Sequence, residues 1–165
     1  MAVTLSTVIG QTNDAAKANA KFKGMFIYQF AKNVDWPKED KTGDFIIGVY
    51  GDETIYKQLS TSYTGKLIGS QPIKVIRYIS SSEIKNCHIL YISESKSSQV
   101  EAISKKIKSN NSLVITNKNG LLTSGSIINF IVKQNKLTFE INKSKAEKTN
   151  LIIGQTLTKL AANVL

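Results

Sequence analysis

His88 is the only histidine in the chain, and Cys87 beside it is the only cysteine. Any Ser-His-Asp or Cys-His centre would have to run through this one dipeptide. Both residues open the apolar run Cys87-His88-Ile89-Leu90-Tyr91-Ile92, which reads as a strand. Successive strand residues point to opposite faces, so Cys87 and His88 cannot form a dyad with each other. No G-x-S-x-G elbow supports a serine triad through His88, which reads as a packed or rim histidine. Zinc needs clustered Cys, His or carboxylate ligands, and one Cys and one His give no cluster. Cys87 reads as a small buried apolar residue that has no partner for an intramolecular disulfide.

Gly48-Val49-Tyr50-Gly51-Asp52 stands where a strand turns into a helix, the position from which a helix N-terminus binds anions. The run lacks the G-x-G-x-x-G spacing, and Asp52 would repel a phosphate. A tight turn with Asp52 as N-cap is the plainer reading. The carboxylates show no paired acid/base motif. Two residues stand out instead. Asn129 interrupts the apolar strand Ile127-Ile128-Asn129-Phe130-Ile131. A buried amide must be hydrogen-bonded, so it either ties the strand to a neighbouring loop or lines a ligand pocket. Trp36-Pro37 ends the first helix, either as a core plug or as an aromatic anchor at an interface.

The chain has 165 residues and a net charge of +10. That is one domain's worth of chain, long enough to bury a core without disulfide staples. The charge invites a nucleic-acid reading, but of the 22 basic residues only Arg77 is arginine, and bidentate base and phosphate recognition leans on arginine. The lysines are scattered, and their densest group, Lys105, Lys106 and Lys108, suits the solvated face of a helix. No run of about 18 apolar residues spans a membrane. Residues 2–10 are small and apolar and precede Gln11-Thr12-Asn13-Asp14, which reads as the tail of a secretory signal without its basic start, or as a terminal tail.

The elements that must position these residues follow from periodicity. Phe22, Phe26, Phe30 and Val34, with Ile27 and Ala31, predict a helix over about Asp14 to Val34 that ends before Pro37. Strands are predicted at Phe45–Tyr50, Ile73–Arg77, Cys87–Ile92 and Leu113–Thr116. Helices are predicted from Asp52 to about Leu59 and from about Lys96 to Ser109. Nearly continuous apolar strands alternating with helices predict a parallel sheet covered on both faces. Ile127–Val132 and Leu137–Ile141 then predict an antiparallel hairpin at the sheet edge. Ile153, Leu157, Leu160, Ala161 and Val164 predict a closing helix. The fold class expected is α/β, a three-layer sandwich with a mostly parallel sheet, an antiparallel edge hairpin and helices on both faces. Residues 1–12 are expected to be a signal remnant or tail and residues 13–165 a single domain.

Six patterns stand in order: Phe26-Ile27-Tyr28-Gln29-Phe30-Ala31-Lys32-Asn33-Val34-Asp35-Trp36-Pro37; Gly65-Lys66 ahead of Gln71-Pro72-Ile73; Cys87 to Ser93; Gly125-Ser126-Ile127-Ile128-Asn129-Phe130; Phe139-Glu140-Ile141-Asn142; and Gln155 to Ala161. Together they resemble the YfiR-like family of bacterial periplasmic proteins, from about residue 18 to the C-terminus. The resemblance implies an exported, often dimeric regulator that represses a membrane-bound diguanylate cyclase, lowering cyclic-di-GMP and biofilm formation. The residues themselves, which show no catalytic constellation and no ligand cluster, point to no enzyme activity, no cofactor and no metal. Members with disulfides pair a cysteine at the position of Cys87, and a Gly-Gly pair is here Gly125-Ser126, so regulation through a disulfide is not expected.

The sequence thus predicts a periplasmic binding protein that meets the periplasmic part of a membrane signalling protein, with homodimerisation a further expectation and no nucleic-acid partner. Tyr28, Trp36 and Pro37 are the expected interface or structural anchors. The alternative is a small-molecule-sensing module at the C-terminal ends of the parallel strands, lined by Gly51, Asp52, His88 and Asn129, its ligand unknown. A hydrolase using His88 is the third reading.

Overall fold

A computed structural model describes residues 4–107 and 111–165. The chain begins with helix α1 (Thr4–Asn33) and passes through β1 (Val34–Asp35) into β2 (Phe45–Tyr50), α2 (Glu53–Tyr63), β3 (Leu67–Ile68) and β4 (Gln71–Tyr78). Then come β5 (Ile89–Ile92), α3 (Val100–Lys106), β6 (Leu113–Thr116), β7 (Ile128–Lys133) and β8 (Lys136–Ile141), and finally α4 (Lys143–Lys148), β9 (Ile152–Ile153), α5 (Gln155–Leu160) and β10 (Asn163–Val164).

Eight strands form one sheet in the order β10-β8-β7-β6-β5-β2-β4-β3, and β1 and β9 pair separately. β4, β2, β5, β6 and β7 run parallel, and β7–β8 is the antiparallel hairpin. This is the predicted α/β architecture. The strands read as unbroken apolar runs because each face has its own cover. Ile89 and Tyr91 join Phe45, Ile47 and Val49 beneath α1 and α2, while Leu90 and Ile92 join Val100, Ile103 and Ile107 of the α3 side. Gly48 makes room on that second face. A Cβ there would stand 2.5 Å from the Tyr78 ring.

Four expectations need correction. The first helix begins at Thr4, not Asp14, and runs through the segment read as a tail. Its buried stripe is Ala20, Lys23, Gly24, Ile27, Phe30, Ala31 and Val34, and Phe22 is exposed. The helix predicted over Lys96–Ser109 opens as a 3-10 turn, Glu94–Gln99, before Val100–Lys106 becomes α-helical; residues 108–110 lie outside the described residues. There is no long closing helix. Ile153 pairs with Val34 in the small sheet, α5 has six residues, Val164 pairs with Ile141, and Leu160 is exposed. The hairpin also has a neighbour, because β10 lies outside β8.

Candidate functional site

The parallel strands give the sheet two ends, and the candidate residues divide between them. At the N-terminal end sit Trp36 and His88. Pro37 fixes the chain as it leaves β1 and starts a 3-10 turn at Lys38–Asp40. Trp36 is buried, edge-on to Phe45 at 5.1 Å between centroids, and its indole N–H donates to the Asn111 carbonyl at 3.0 Å. His88 stacks on Phe45 at 4.4 Å. Its Nδ1 accepts from the Ile46 N–H at 3.0 Å, and its Nε2 lies 2.7 Å from the Asp40 carbonyl. An acceptor at Nδ1 and a carbonyl at Nε2 fix the neutral ring with its proton on Nε2. Gln71 donates to the carbonyls of Asp40 and Thr42, both at 3.0 Å, and Asn111 donates to the Asp40 carboxylate at 2.8 Å. Every polar atom of His88 is thus spent on holding the Lys38–Asp40 turn against the sheet. Among the described residues no nucleophile is paired with it.

Cys87 faces the other way, into the second core cluster, as a strand's alternation requires. Burial pushes its thiol up to about 12, against the opposing effect of bonds from Ser112 and the Gly48 backbone. An un-ionised thiol is neither a nucleophile nor a metal ligand. Among the described residues no three His, Cys, Asp or Glu side chains gather where they could hold a metal.

Tyr28 lies on the outer side of the first layer. Its half-buried ring stacks on Tyr63 at 4.7 Å, with the ammonium groups of Lys32 and Lys66 each 5.6 Å from its centroid. Trp36 is buried and Pro37 half-buried. Trp36 is 5% exposed.

At the C-terminal end of the strands stand Gly51, Asp52 and Asn129. Gly51 turns the chain at φ +87°, and a Cβ there would collide with Ser93 and Lys96. The Asp52 carboxylate caps α2 by accepting from the Ile55 N–H at 3.0 Å. Asn129 is fully buried. Its Oδ1 accepts from the Thr116 hydroxyl at 2.7 Å and from the Lys118 N–H at 3.2 Å, and its amide reaches Glu140 at 3.4 Å. It ties the loop after β6 to the hairpin. His88, at the far end of β5, does not join these three, and β5 and β6 separate Gly51 from Asn129.

The sequence reading missed Asp40, Gln71 and Asn111, whose value lies in tertiary bonds. It also missed Lys23, which is 8% exposed on the buried face of α1. Burial pushes the Lys23 ammonium below its ordinary range, partly offset by the Asp52 and Glu94 carboxylates. One signal was available: Lys23 stands three residues after Ala20 and four before Ile27, on the apolar stripe.

The fold has solved counterparts. The chain is similar to a conserved domain protein from Vibrio cholerae O1 biovar El Tor, at a TM-score of 0.61 and 11% identity over 88% of this chain and 60% of that one. It is also similar to an ABC domain from Streptococcus pneumoniae solved in complex with L-Trp, at a TM-score of 0.52 and 10% identity over 73% of this chain and 55% of that one. It therefore spans under two thirds of either structure, and at such identity the likeness is one of fold. No curated protein sequence matches it. The family profile described as YfiR/HmsC-like matches residues 20–162, from the buried stripe of α1 through Trp36 and His88 to the end of α5, and the chain belongs to the YfiR/HmsC-like family.

Proposed function

We propose that this protein is a periplasmic regulator that represses a membrane-bound diguanylate cyclase through protein contact. The observation that carries this reading is the family match over residues 20–162. The site chemistry agrees with it: His88 is committed to backbone bonds and Cys87 is held as a thiol. Among the described residues no helix is long and apolar enough to cross a membrane, so contact with a membrane enzyme falls to a surface.

Tyr28 is the anchor a partner can reach, an aromatic ring with two flanking cations. Trp36 and Pro37 act behind it by fixing the chain that leaves α1. The test is crosslinking of the tagged protein in intact cells of its host, followed by identification of what co-purifies from the envelope, with cyclic-di-GMP measured in a strain lacking the protein. Capture of an inner-membrane cyclase and a rise in cyclic-di-GMP support the reading. An unchanged level with no envelope partner sinks it. Tyr28→Ala should weaken capture by about tenfold, roughly 1.4 kcal/mol, while the protein stays folded.

A second reading, a small-molecule sensor, is favoured by one feature: an open crevice beside Lys23 at the C-terminal ends of the strands.

A further inference from the structure

One face of α1 is left open among the described residues. Lys17, Lys21, Met25, Tyr28 and Lys32 follow one another at helical spacing, which sets them on one side of the helix within an arc of about 80°. Lys17, Lys21, Met25 and Lys32 are exposed and Tyr28 is half-buried. After Asp14 the helix holds no aspartate or glutamate as far as its end at Asn33.

Gly24 lets α2 come close to this helix, since a Cβ there would lie 3.1 Å from Gln58. One turn on, Tyr28 stacks on Tyr63 at 4.7 Å. Lys66, from the loop after α2, holds its ammonium 4.9 Å from the Tyr63 centroid, and Lys32 holds its own 5.6 Å from that of Tyr28. Aromatic faces attract cations but leave their net charge in place. The ion pairs among the described residues are Lys41–Asp35, Lys57–Glu53, Arg77–Glu53 and Lys105–Glu101. Lys17, Lys21, Lys32 and Lys66 belong to none of them. Along the helix the surface therefore reads as cations at Lys17 and Lys21, an apolar centre at Met25 and Tyr28, and cations again at Lys32 and Lys66, over about 22 Å.

Charge complementarity names the occupant. The lysines call for carboxylates, and the exposed thioether and half-buried ring between them call for apolar side chains. A groove of about 380 Å³ runs beside the stripe between α1 and α2, lined by Lys17 and Lys57 and by the small side chains of Ala16 and Ala20. Glu53 in that groove is spent on Lys57 and Arg77. A groove beside a helix receives a chain segment, whereas a flat lipid surface would leave it unfilled. We infer that this face of α1 docks an acidic segment of a protein partner, with carboxylates at both ends of the segment and apolar side chains between them, seated on Met25 and Tyr28. The inference rests on the regulatory reading for the existence of the partner and adds the chemistry of its contact.

Fluorescence anisotropy with the full chain tests it. The probe is a labelled peptide of about 18 residues with glutamates at both ends and leucines in the middle. A second peptide of the same composition has its leucines at the ends and its glutamates in the middle. The first should bind saturably and lose affinity steeply with added salt, and the second should bind at least about tenfold more weakly. Lys21→Glu, Lys32→Glu and Lys66→Glu together should weaken the first peptide by at least about tenfold. Lys74→Glu, Lys133→Glu and Lys136→Glu together make the same change of charge at exposed sites outside α1 and should bind as the parent does. Equal binding of the two peptides, equal loss in the two triple variants, or no binding would overturn the assignment. So would attachment of the same three lysines to phosphatidylglycerol vesicles in place of the peptide, which would make the face a lipid contact. Cyclic-di-GMP keeps the two readings apart. If deleting the protein raises it and the Lys21, Lys32 and Lys66 variant restores the parental level, the regulatory reading stands and this surface falls. If deletion leaves it unchanged, the regulatory reading falls and peptide binding decides the surface.

Discussion

His88 carries two backbone bonds and a stacked ring, so its replacement separates packing from hydrogen bonding. His88→Phe keeps the stack on Phe45 but leaves the Ile46 N–H without its partner and takes one of two donors from the Asp40 carbonyl, which keeps Gln71. One part-buried backbone group left unpaired costs about 1–3 kcal/mol, readable as a lower urea midpoint at constant slope. A loss under about 0.5 kcal/mol would mean that water replaces the ring there. Trp36→Ala should cost more, about 3–5 kcal/mol, because a large buried side chain leaves a cavity. Much at this scale was legible from local rules. Period-two alternation set Cys87 and His88 on opposite faces, and Asp52 caps the helix it was expected to cap. Lys23 carried one sign of its burial, its place on the apolar stripe, but a lysine on a helix reads as solvated until the cover above it is known. The bonds of Asp40, Gln71 and Asn111 span 29 to 71 residues along the chain, and no local pattern encodes them.

Elements were readable where one periodicity lasted and misread where it drifted. Residues four apart on a helix turn by roughly 40° relative to one another. A Phe22, Phe26, Phe30, Val34 series therefore winds off the core, and Phe22 ends 55% exposed while Phe30 is fully buried. The Ile153 to Val164 pattern fits a helix, yet its apolar residues are spread over a strand, a short helix and another strand. Gly154 starts the short helix and Ala161 is already extended at its end. The hairpin was found from its flanking alternation, and its turn supplies a test. Gln134 and Asn135 both adopt positive φ, 50° and 59°, the conformation two-residue hairpin turns demand and Gln tolerates poorly. Replacing Gln134-Asn135 by Asn-Gly should stabilise the protein by about 1 kcal/mol and raise its melting temperature by a few degrees. A fall in melting temperature would show that the Gln134 side chain makes a compensating contact.

Across the whole molecule the two ends of the sheet differ in kind. The N-terminal end is closed by a polar knot around Asp40, while the C-terminal end has Lys23 beside an open crevice and, among the described residues, two buried oxygens without a partner, Tyr91 OH and Asn117 Oδ1. Their buried groups also make stability depend on alkaline pH, and the signs can be worked out. Burial raises the pKa values of Cys87, Tyr91, Tyr63 and Tyr78 above the values of 9.0 and 10.0 that these groups have when solvated. Each therefore contributes stability that is whole below its unfolded value and is lost as pH rises toward its folded one. Lys23 is shifted down from 10.5. The cost of burying its ammonium is present at neutral pH and fades as pH climbs through its lowered value to 10.5, a gain in stability. Four groups oppose one, so the protein should weaken above pH 9. The slope begins at about 1.4 kcal/mol per pH unit once the unfolded Cys87 ionises and steepens past pH 10. Urea unfolding followed by the fluorescence of Trp36, the sole tryptophan, measures this between pH 8 and about 10. Cys87→Ala should delay the fall by about one pH unit, to where the tyrosines ionise. Lys23→Met should steepen it, because the opposing gain is gone. A midpoint independent of pH in the parent chain would contradict the burial of Cys87 and Tyr91 together. An unchanged slope in Lys23→Met would mean that Lys23 keeps its full charge, screened by water in the crevice.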